Sequence, residues 1–160
     1  MTKQMRWAGL LVGLAVLVAA SAPAAAQTKE KVYLKLTNDQ LDQMLKDMGI
    51  QAKRFPHPTV KDQMDFDFER KDYKMRVTLF KGTLVWISAY FPKTSLDMIN
   101  KWNVNAKFSR AVLVNVNGVE NAVVEYQIDA AGGMTDNMFR QFIRRFDTEC
   151  GDFDRFLQKN

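Results

Sequence analysis

The sequence has one cysteine and one histidine in 160 residues, and this scarcity excludes several kinds of chemistry. Because Cys150 is the only cysteine, no disulfide can form within the chain. A single histidine and a single cysteine are also too few for the usual zinc sites. His57 lies between two prolines in a polar segment, which is typical of a solvated loop residue and not of a general base. We therefore predict a protein without a cofactor, a metal site or catalytic residues.

Long apolar runs are missing after the first residues of the chain. Lys3 and Arg6 precede an apolar segment, Trp7–Ala20, that is shorter than the ~20 residues needed by a membrane-spanning helix. Small residues follow, as they do before a signal-peptide cleavage site. This arrangement predicts a signal peptide over residues 1–26 and a mature protein that begins near Gln27, with an uncleaved membrane anchor as the alternative.

No strong excess of one charge remains in the mature chain. Without Lys3 and Arg6, 21 basic residues stand against 18 acidic ones, so the net charge is +3. The basic clusters are interleaved with acidic residues, which is typical of a solvated mixed-charge surface. We therefore expect no nucleic-acid partner.

Three segments carry helical signals. Thr37 begins a capping box followed by apolar residues at helical spacing, and Gly49 ends this first helix. A second helix is predicted from about Ser95 to Val104. Thr135 caps a last helix, in which Gly151 marks a position for a kink or a break. One face of this helix carries a stripe of large apolar residues: Phe139, Phe142, Ile143, Phe146, Cys150, Phe153 and Leu157.

Alternating residues predict two hairpins. The first pairs Met64–Phe68 with Tyr73–Leu79, so that Asp67 faces Arg76 and Glu69 faces Lys74 in surface ion pairs. The second has an Asn-Gly turn, which is the strongest short hairpin signal, and sets Arg110 opposite Glu125. This second hairpin joins residues 109–116 to residues 119–129. Residues 51–63, before the first hairpin, are predicted as a loop.

A further strand, Leu84–Phe91, follows a tight turn at Lys81-Gly82 and is apolar on both faces. We expect one face to bury Leu84, Trp86 and Tyr90 together with Phe66, Phe68 and Val77. The other face would carry Val85, Ile87 and Phe91 near Val112, Val114 and Val116. Exposed apolar surface of this kind usually marks an interaction site. Val85, Ile87 and Phe91 are therefore candidate interface residues, unless the helices close both faces.

The end of the second helix supplies the other candidate site. Asn100, Trp102 and Asn103 could line a polar pocket there, and the alternative is that the asparagines only cap the helix.

Two segments resemble the YbjN family, described as bacterial sensory transduction regulators. They are I-N-K-W-N-V-N-A-K-F-S-R-A, Ile99–Ala111, and G-G-M-T-D-N-M-F-R-Q-F-I-R-R-F, Gly132–Phe146. The resemblance spans about 36–157 and implies a fold akin to the type III secretion chaperones. Together with the element order, this resemblance predicts an α+β domain at 36–160, in which three helices pack on an antiparallel sheet of about five strands. A flexible leader is expected at 27–35, and it could hold one short strand at 32–34.

The expected function is therefore binding. We expect an exported, periplasmic or secreted, non-catalytic or chaperone-like module that recognises a peptide, a protein or a small ligand. The alternative is a regulatory or structural interaction protein that acts as a homodimer or as a subunit of a hetero-complex.

The first testable prediction concerns export. Cleavage after Ala26 would leave a protein whose first residue is Gln27, because small side chains occupy the positions that signal peptidase reads. N-terminal mass spectrometry of the protein from the periplasmic fraction measures this directly. Full-length protein in the cytosol would contradict it.

Overall fold

The computed structural model describes residues 30–57, 60–61, 63–116 and 118–159. The expected signal peptide and Asn117 of the expected Asn-Gly turn lie outside these residues. The elements follow in the order β1 (Val32–Tyr33), α1 (Asn38–Lys46), β2 (Lys53–Pro56), β3 (Gln63–Arg70), β4 (Tyr73–Phe80), β5 (Leu84–Phe91), α2 (Leu96–Asn105), β6 (Arg110–Val116), β7 (Val119–Asp129), β8 (Met134–Thr135) and α3 (Asp136–Lys159).

Six strands form one antiparallel sheet in the order β2-β3-β4-β5-β7-β6. The α+β class with three helices is confirmed, and the sheet has one strand more than expected. The additional strand is β2, in a segment predicted as a loop. Its four residues are all exposed and end in Pro56, so they show no alternation that could reveal a strand. The backbone of β2 nevertheless pairs with β3, with Phe55 opposite Asp65.

The helix starts follow local chemistry. The hydroxyl of Thr37 accepts a hydrogen bond from the backbone N–H of Gln40, and the Gln40 side chain accepts one from the Thr37 N–H at 2.8 Å, as the capping box predicts. The hydroxyl of Ser95 accepts a bond from the Met98 N–H at the start of α2, and the hydroxyl of Thr135 accepts one from the N–H of the third residue of α3. The third helix continues through Gly151 as one element, so Gly151 does not break it.

The helices cover one face of the sheet, which we call the inner face. The apolar stripe of α3 packs on β5 and β7: the rings of Phe91 and Phe153 lie 4.9 Å apart, as do those of Tyr126 and Phe142. The buried residues of all three helices belong to one core with the inner face of the sheet. Its strand members are Phe66, Phe68, Met75, Val77, Leu79, Val85, Ile87, Ala89, Phe91, Ala111, Ala122 and Val124.

The face assignment of β5 corrects the expectation from sequence. Three residues, 81–83, separate β4 from β5, and Phe80 pairs with Leu84. A two-residue turn at Lys81-Gly82 would instead place Val77 opposite Trp86, whereas the observed register places Val77 opposite Ile87. A shift of one residue exchanges the two faces of a strand.

The proposed apolar interface is therefore not exposed. Val85 and Ile87 are fully buried and Phe91 is 3% exposed, all within the core. The valines of β6 do not join them, because β6 pairs only with β7 and its Ala111 and Leu113 are the residues that pack towards the core. Val112, Val114 and Val116 lie on the opposite face, which we call the outer face.

Residues 30–35 of the leader are among those that the structure describes. Val32 pairs with Thr135 and Tyr33 with Met134, so part of the expected short strand forms. The next segment is held by a 2.8 Å hydrogen bond from the Leu36 N–H to the Gly82 carbonyl. Gly133 allows β1 to lie close to the segment before β8: its φ is +100°, and a Cβ there would lie 2.6 Å from the side chain of Val32.

The second prediction tests the core. Phe146→Asp places a carboxylate where the phenyl ring is fully buried in the hydrophobic core, and an unpaired charge there loses its hydration at a high cost in free energy. We expect loss of soluble, cooperatively folded protein, measured by expression yield and circular dichroism. Arg144→Asp is the control, because Arg144 is an exposed residue of the same helix. A folded Phe146→Asp protein would mean that the stripe does not pack as a core.

Candidate functional site

A polar network lies on the outer face across β3 and β4. The guanidinium of Arg76 donates to both carboxylate oxygens of Asp67, at 2.6 and 2.8 Å, and lies 3.5 Å from Asp65. The hydroxyl of Thr78 donates to Asp65 at 2.8 Å, and Asp65 is only 3% exposed. The hydrogen bond to Asp67 raises the pKa of Arg76 above its ordinary value. These carboxylates serve as ion-pair partners, as the alternation predicts.

The second predicted pair has the expected register without the expected contact. Glu69 stands opposite Lys74. In the described part of the chain, however, neither side chain is within ion-pair distance of an opposite charge. Both remain available at the surface of the sheet.

The outer face encloses a groove of about 840 Å³ at the end of the sheet where β3 turns into β4. Its lining comes from both edge strands, β2 and β6, and from β3, β4 and β5, so the sheet curls around it. The volume lies within the range of small-molecule sites. The side chains that give the groove its character are Lys53, Phe55, Glu69, Lys74, Tyr90 and Val116.

Phe55 contributes the most accessible aromatic ring of the groove, with 44% of its surface exposed. Lys53 and Lys74 are exposed and, among the described residues, have no carboxylate within ion-pair distance. The pattern of the sequence did not reveal Lys53 or Phe55, because β2 has no alternation. The groove therefore combines apolar surface with two unpaired lysines and one unpaired carboxylate, that of Glu69, among the described residues.

A smaller pocket, of about 290 Å³, lies towards the start of β6. Trp86 and Phe108 line it and are 39% and 48% exposed. The guanidinium of Arg145 lies 5.3 Å from the centre of the Phe108 ring, a cation–π distance. Arg110 forms an ion pair with Glu125 at the wall of the pocket, which confirms the predicted register of the second hairpin.

The three candidates near the end of α2 do not form a pocket together. Trp102 is 8% exposed and packs edge-on against Phe153 at 5.1 Å. Its indole N–H has no hydrogen-bond partner among the described residues. Asn100 is exposed, and Asn103 turns towards β6. Positions one or two apart on a helix do not face each other, which separates Trp102 from both asparagines.

Asn103 has a structural task at the edge of the sheet. Its amide donates to the carbonyl of Ala111 at 2.9 Å and accepts from the Ala111 N–H at 2.7 Å. The amide thus occupies the place of a neighbouring strand and satisfies both backbone groups of Ala111. This is capping of a strand, where the sequence suggested capping of a helix.

The residues with catalytic potential are engaged elsewhere. Cys150 is fully buried in α3, and burial raises the pKa of its thiol, with further contributions from the charges of Asp147 and Glu149. The reactive thiolate is therefore disfavoured. The ring of His57 accepts a hydrogen bond from the Val60 N–H at 3.0 Å through Nδ1. Across the residues that the structure describes, no three His, Cys, Asp or Glu side chains are grouped so that they could hold a metal ion.

Fold and surface together define an α+β domain with its helices on one side of an antiparallel sheet and an open, grooved face on the other. A family model described as "Putative bacterial sensory transduction regulator" matches residues 37–159. The chain belongs to this family, YbjN, as the two sequence segments suggested.

Two solved structures share the fold. One is the crystal structure of YbjN, "a putative transcription regulator from E. coli", with a TM-score of 0.61 and 17% identity over 77% of this chain and 91% of the other. The second is an uncharacterized protein from Methanothermobacter thermautotrophicus, with a TM-score of 0.58 and 11% identity over 78% and 98% of the two chains. No curated protein sequence matches the chain. No helix in the described residues is long and apolar enough to span a membrane.

The third prediction concerns Asn103. Asn103→Ala leaves the backbone N–H and C=O of the buried Ala111 without partners, and we expect the free energy of unfolding to fall by about 1–3 kcal/mol. Urea denaturation measures this change. The control is Asn100→Ala on the same helix, where the exposed side chain predicts a change within about 0.5 kcal/mol. Equal effects of the two substitutions would contradict the assigned role.

Proposed function

We propose that this protein is an exported, non-catalytic binding module that takes a peptide segment of a partner protein into the groove on its outer sheet face. The observation that carries the proposal is the groove itself, about 840 Å³ in volume and uncovered by the helices. Exposed apolar surface that is rimmed by polar residues is typical of interaction sites.

The lining favours a peptide that carries both apolar and acidic side chains. Phe55 and Tyr90 offer aromatic surface, and in the described part of the chain the two unpaired lysines, Lys53 and Lys74, outnumber the one unpaired carboxylate of the groove, Glu69. Arg76 is less available, because Asp67 already binds its guanidinium at two points. An acidic side chain of the ligand would therefore pair with the lysines, while apolar neighbours would pack on the rings.

A non-catalytic role is supported by the placement of the reactive side chains. The thiol of Cys150 lies inside the core, where its pKa is raised, and it does not face the groove. His57, the single histidine, is not among the residues that line the groove. The groove supplies charges and aromatic rings, which bind and orient a ligand without a nucleophile.

Export to the periplasm or beyond is part of the proposal and rests on the first 26 residues of the sequence. A chaperone-like or regulatory role is consistent with the description of the YbjN family as regulators of sensory transduction. In such a role, binding of the partner segment would itself be the activity.

A second candidate function, that of an interaction subunit which pairs with another copy, is favoured by a different observation. The edge of the sheet at β6 is long, apolar and largely free, as described below.

The fourth prediction tests the groove. A phage-displayed library of random peptides is selected on the exported protein, and we expect enrichment of peptides that combine acidic with aromatic or aliphatic residues. Phe55→Ala and Lys74→Glu should each weaken the enriched peptides by about tenfold or more, equivalent to ~1.4 kcal/mol, because each removes a principal contact. Fluorescence anisotropy with labelled peptides measures the dissociation constants.

Phe108→Ala is the matched control, because Phe108 is about as exposed as Phe55 but lines the smaller pocket. It should leave the affinity unchanged. Peptides that bind all variants equally, or that fail only with Phe108→Ala, would contradict the assignment of the groove.

A further inference from the structure

The two edges of the sheet are built differently. The edge strand β2 has four residues and carries Lys53, Arg54 and Pro56, all features that discourage the addition of another strand. The other edge strand, β6, has seven residues and contains no charge after Arg110. Its sequence, Ala-Val-Leu-Val-Asn-Val, has high strand propensity. Only β6 is therefore suited to pair with a further strand.

The hydrogen bonds of Asn103 show which backbone groups of β6 face outwards. Because Asn103 binds both the N–H and the C=O of Ala111 from the side opposite β7, these groups point away from the sheet. In an antiparallel strand the direction repeats every second residue. The N–H and C=O groups of Leu113 and Asn115 therefore point outwards as well, and within the described residues they have no hydrogen-bond partner.

The neighbouring helix adds apolar surface beside this free edge. α2 packs next to β6 and exposes Leu96 and Val104, with 61% and 83% of their surfaces accessible. Val116 at the end of β6 is 41% exposed. A strand added at the edge would therefore lie beside a helix with exposed apolar side chains.

We propose that β6 pairs with β6 of a second copy of this chain, antiparallel about a two-fold axis at Val114, so that two sheets join edge to edge. In this register Leu113 and Asn115 exchange both hydrogen bonds with Asn115 and Leu113 of the other copy. Val112 then faces Val116, and Val114 faces itself. The ladder ends before Ala111, whose backbone groups Asn103 already occupies.

The chemistry of the strand favours a second copy over an unrelated peptide. In an isologous contact a residue on the two-fold axis meets its own copy, so charged residues near the axis would repel one another. Between Ala111 and Val116 there is no charged residue, and valines meet valines on the outer face. Arg110, the one charge of β6, lies outside the ladder and is ion-paired with Glu125. The strand is thus complementary to itself.

The contact is modest in size, so we expect a reversible dimer with a dissociation constant in the micromolar range. This interface is separate from the peptide groove, apart from Val116 at its border. Failure of the peptide selection and failure of dimerisation are therefore independent results, since one is read by peptide affinity and the other by mass.

The first experiment uses the unaltered protein. Sedimentation equilibrium over a wide concentration range should show a monomer–dimer equilibrium. Hydrogen exchange should slow at Leu113 and Asn115 by about tenfold or more as the dimer becomes dominant, because their N–H groups gain partners. The Ala111 amide is the internal control, because Asn103 already binds it. A monomer at all concentrations, or protection confined to β2, would overturn the proposal.

The second experiment uses the self-pairing of residue 114. Val114→Lys and Val114→Glu each place like charges opposite one another across the axis, and each alone should raise the dimer dissociation constant by about tenfold or more. An equimolar mixture should restore the dimer, because lysine then faces glutamate. Val119→Lys, at an exposed position of β7, should leave association unchanged. Homodimers of both charged variants, or no rescue in the mixture, would overturn the assigned register.

Discussion

The packing of α3 against the inner face of the sheet is the interaction on which the rest of the structure depends. Its phenyl rings meet the central strands, with Phe153 against Phe91 and Phe142 against Tyr126. Burial of a large apolar side chain stabilises a fold by ~1.5–3 kcal/mol, and this helix contributes several such residues. Because α1 and α2 join the same core, all three helices lie on one side, and no element of the described residues covers the outer face.

An open sheet face must be compatible with water, and the outer face meets this requirement with ion pairs. Arg76 links two carboxylates, and Thr78 satisfies the buried Asp65. A curled sheet then brings side chains of both edge strands around one groove. The two edge strands of the sheet differ in how they are protected from pairing with a further strand. Charged residues and a proline protect β2, whereas on β6 only the backbone groups of Ala111 are already bonded, by the amide of Asn103. The groove and the edge of β6, the two surfaces at which we propose binding, therefore remain open.

Much of the fold could be predicted from sequence because the signals were local. The capping box at Thr37, the apolar stripe of α3 and the pairs Asp67–Arg76 and Arg110–Glu125 depend only on residues close together in the chain. The candidate site was less predictable. Trp102 and Asn103 stood out by composition, but their directions depend on where α2 meets β6. The groove was missed because β2 has no pattern and becomes a strand only through pairing with β3.

The sequence by itself determined the three helices, five strands of the large sheet and the register of the hairpins that pair Asp67 with Arg76 and Arg110 with Glu125, because capping, periodicity and turn chemistry act over a few residues. The tertiary structure alone decided which faces the strands present. A loop of three residues in place of a two-residue turn moved Val85 and Ile87 into the core and Trp86 to the outer face. Such a choice depends on which register buries the most apolar surface beneath α3, and that balance involves residues far apart in the chain.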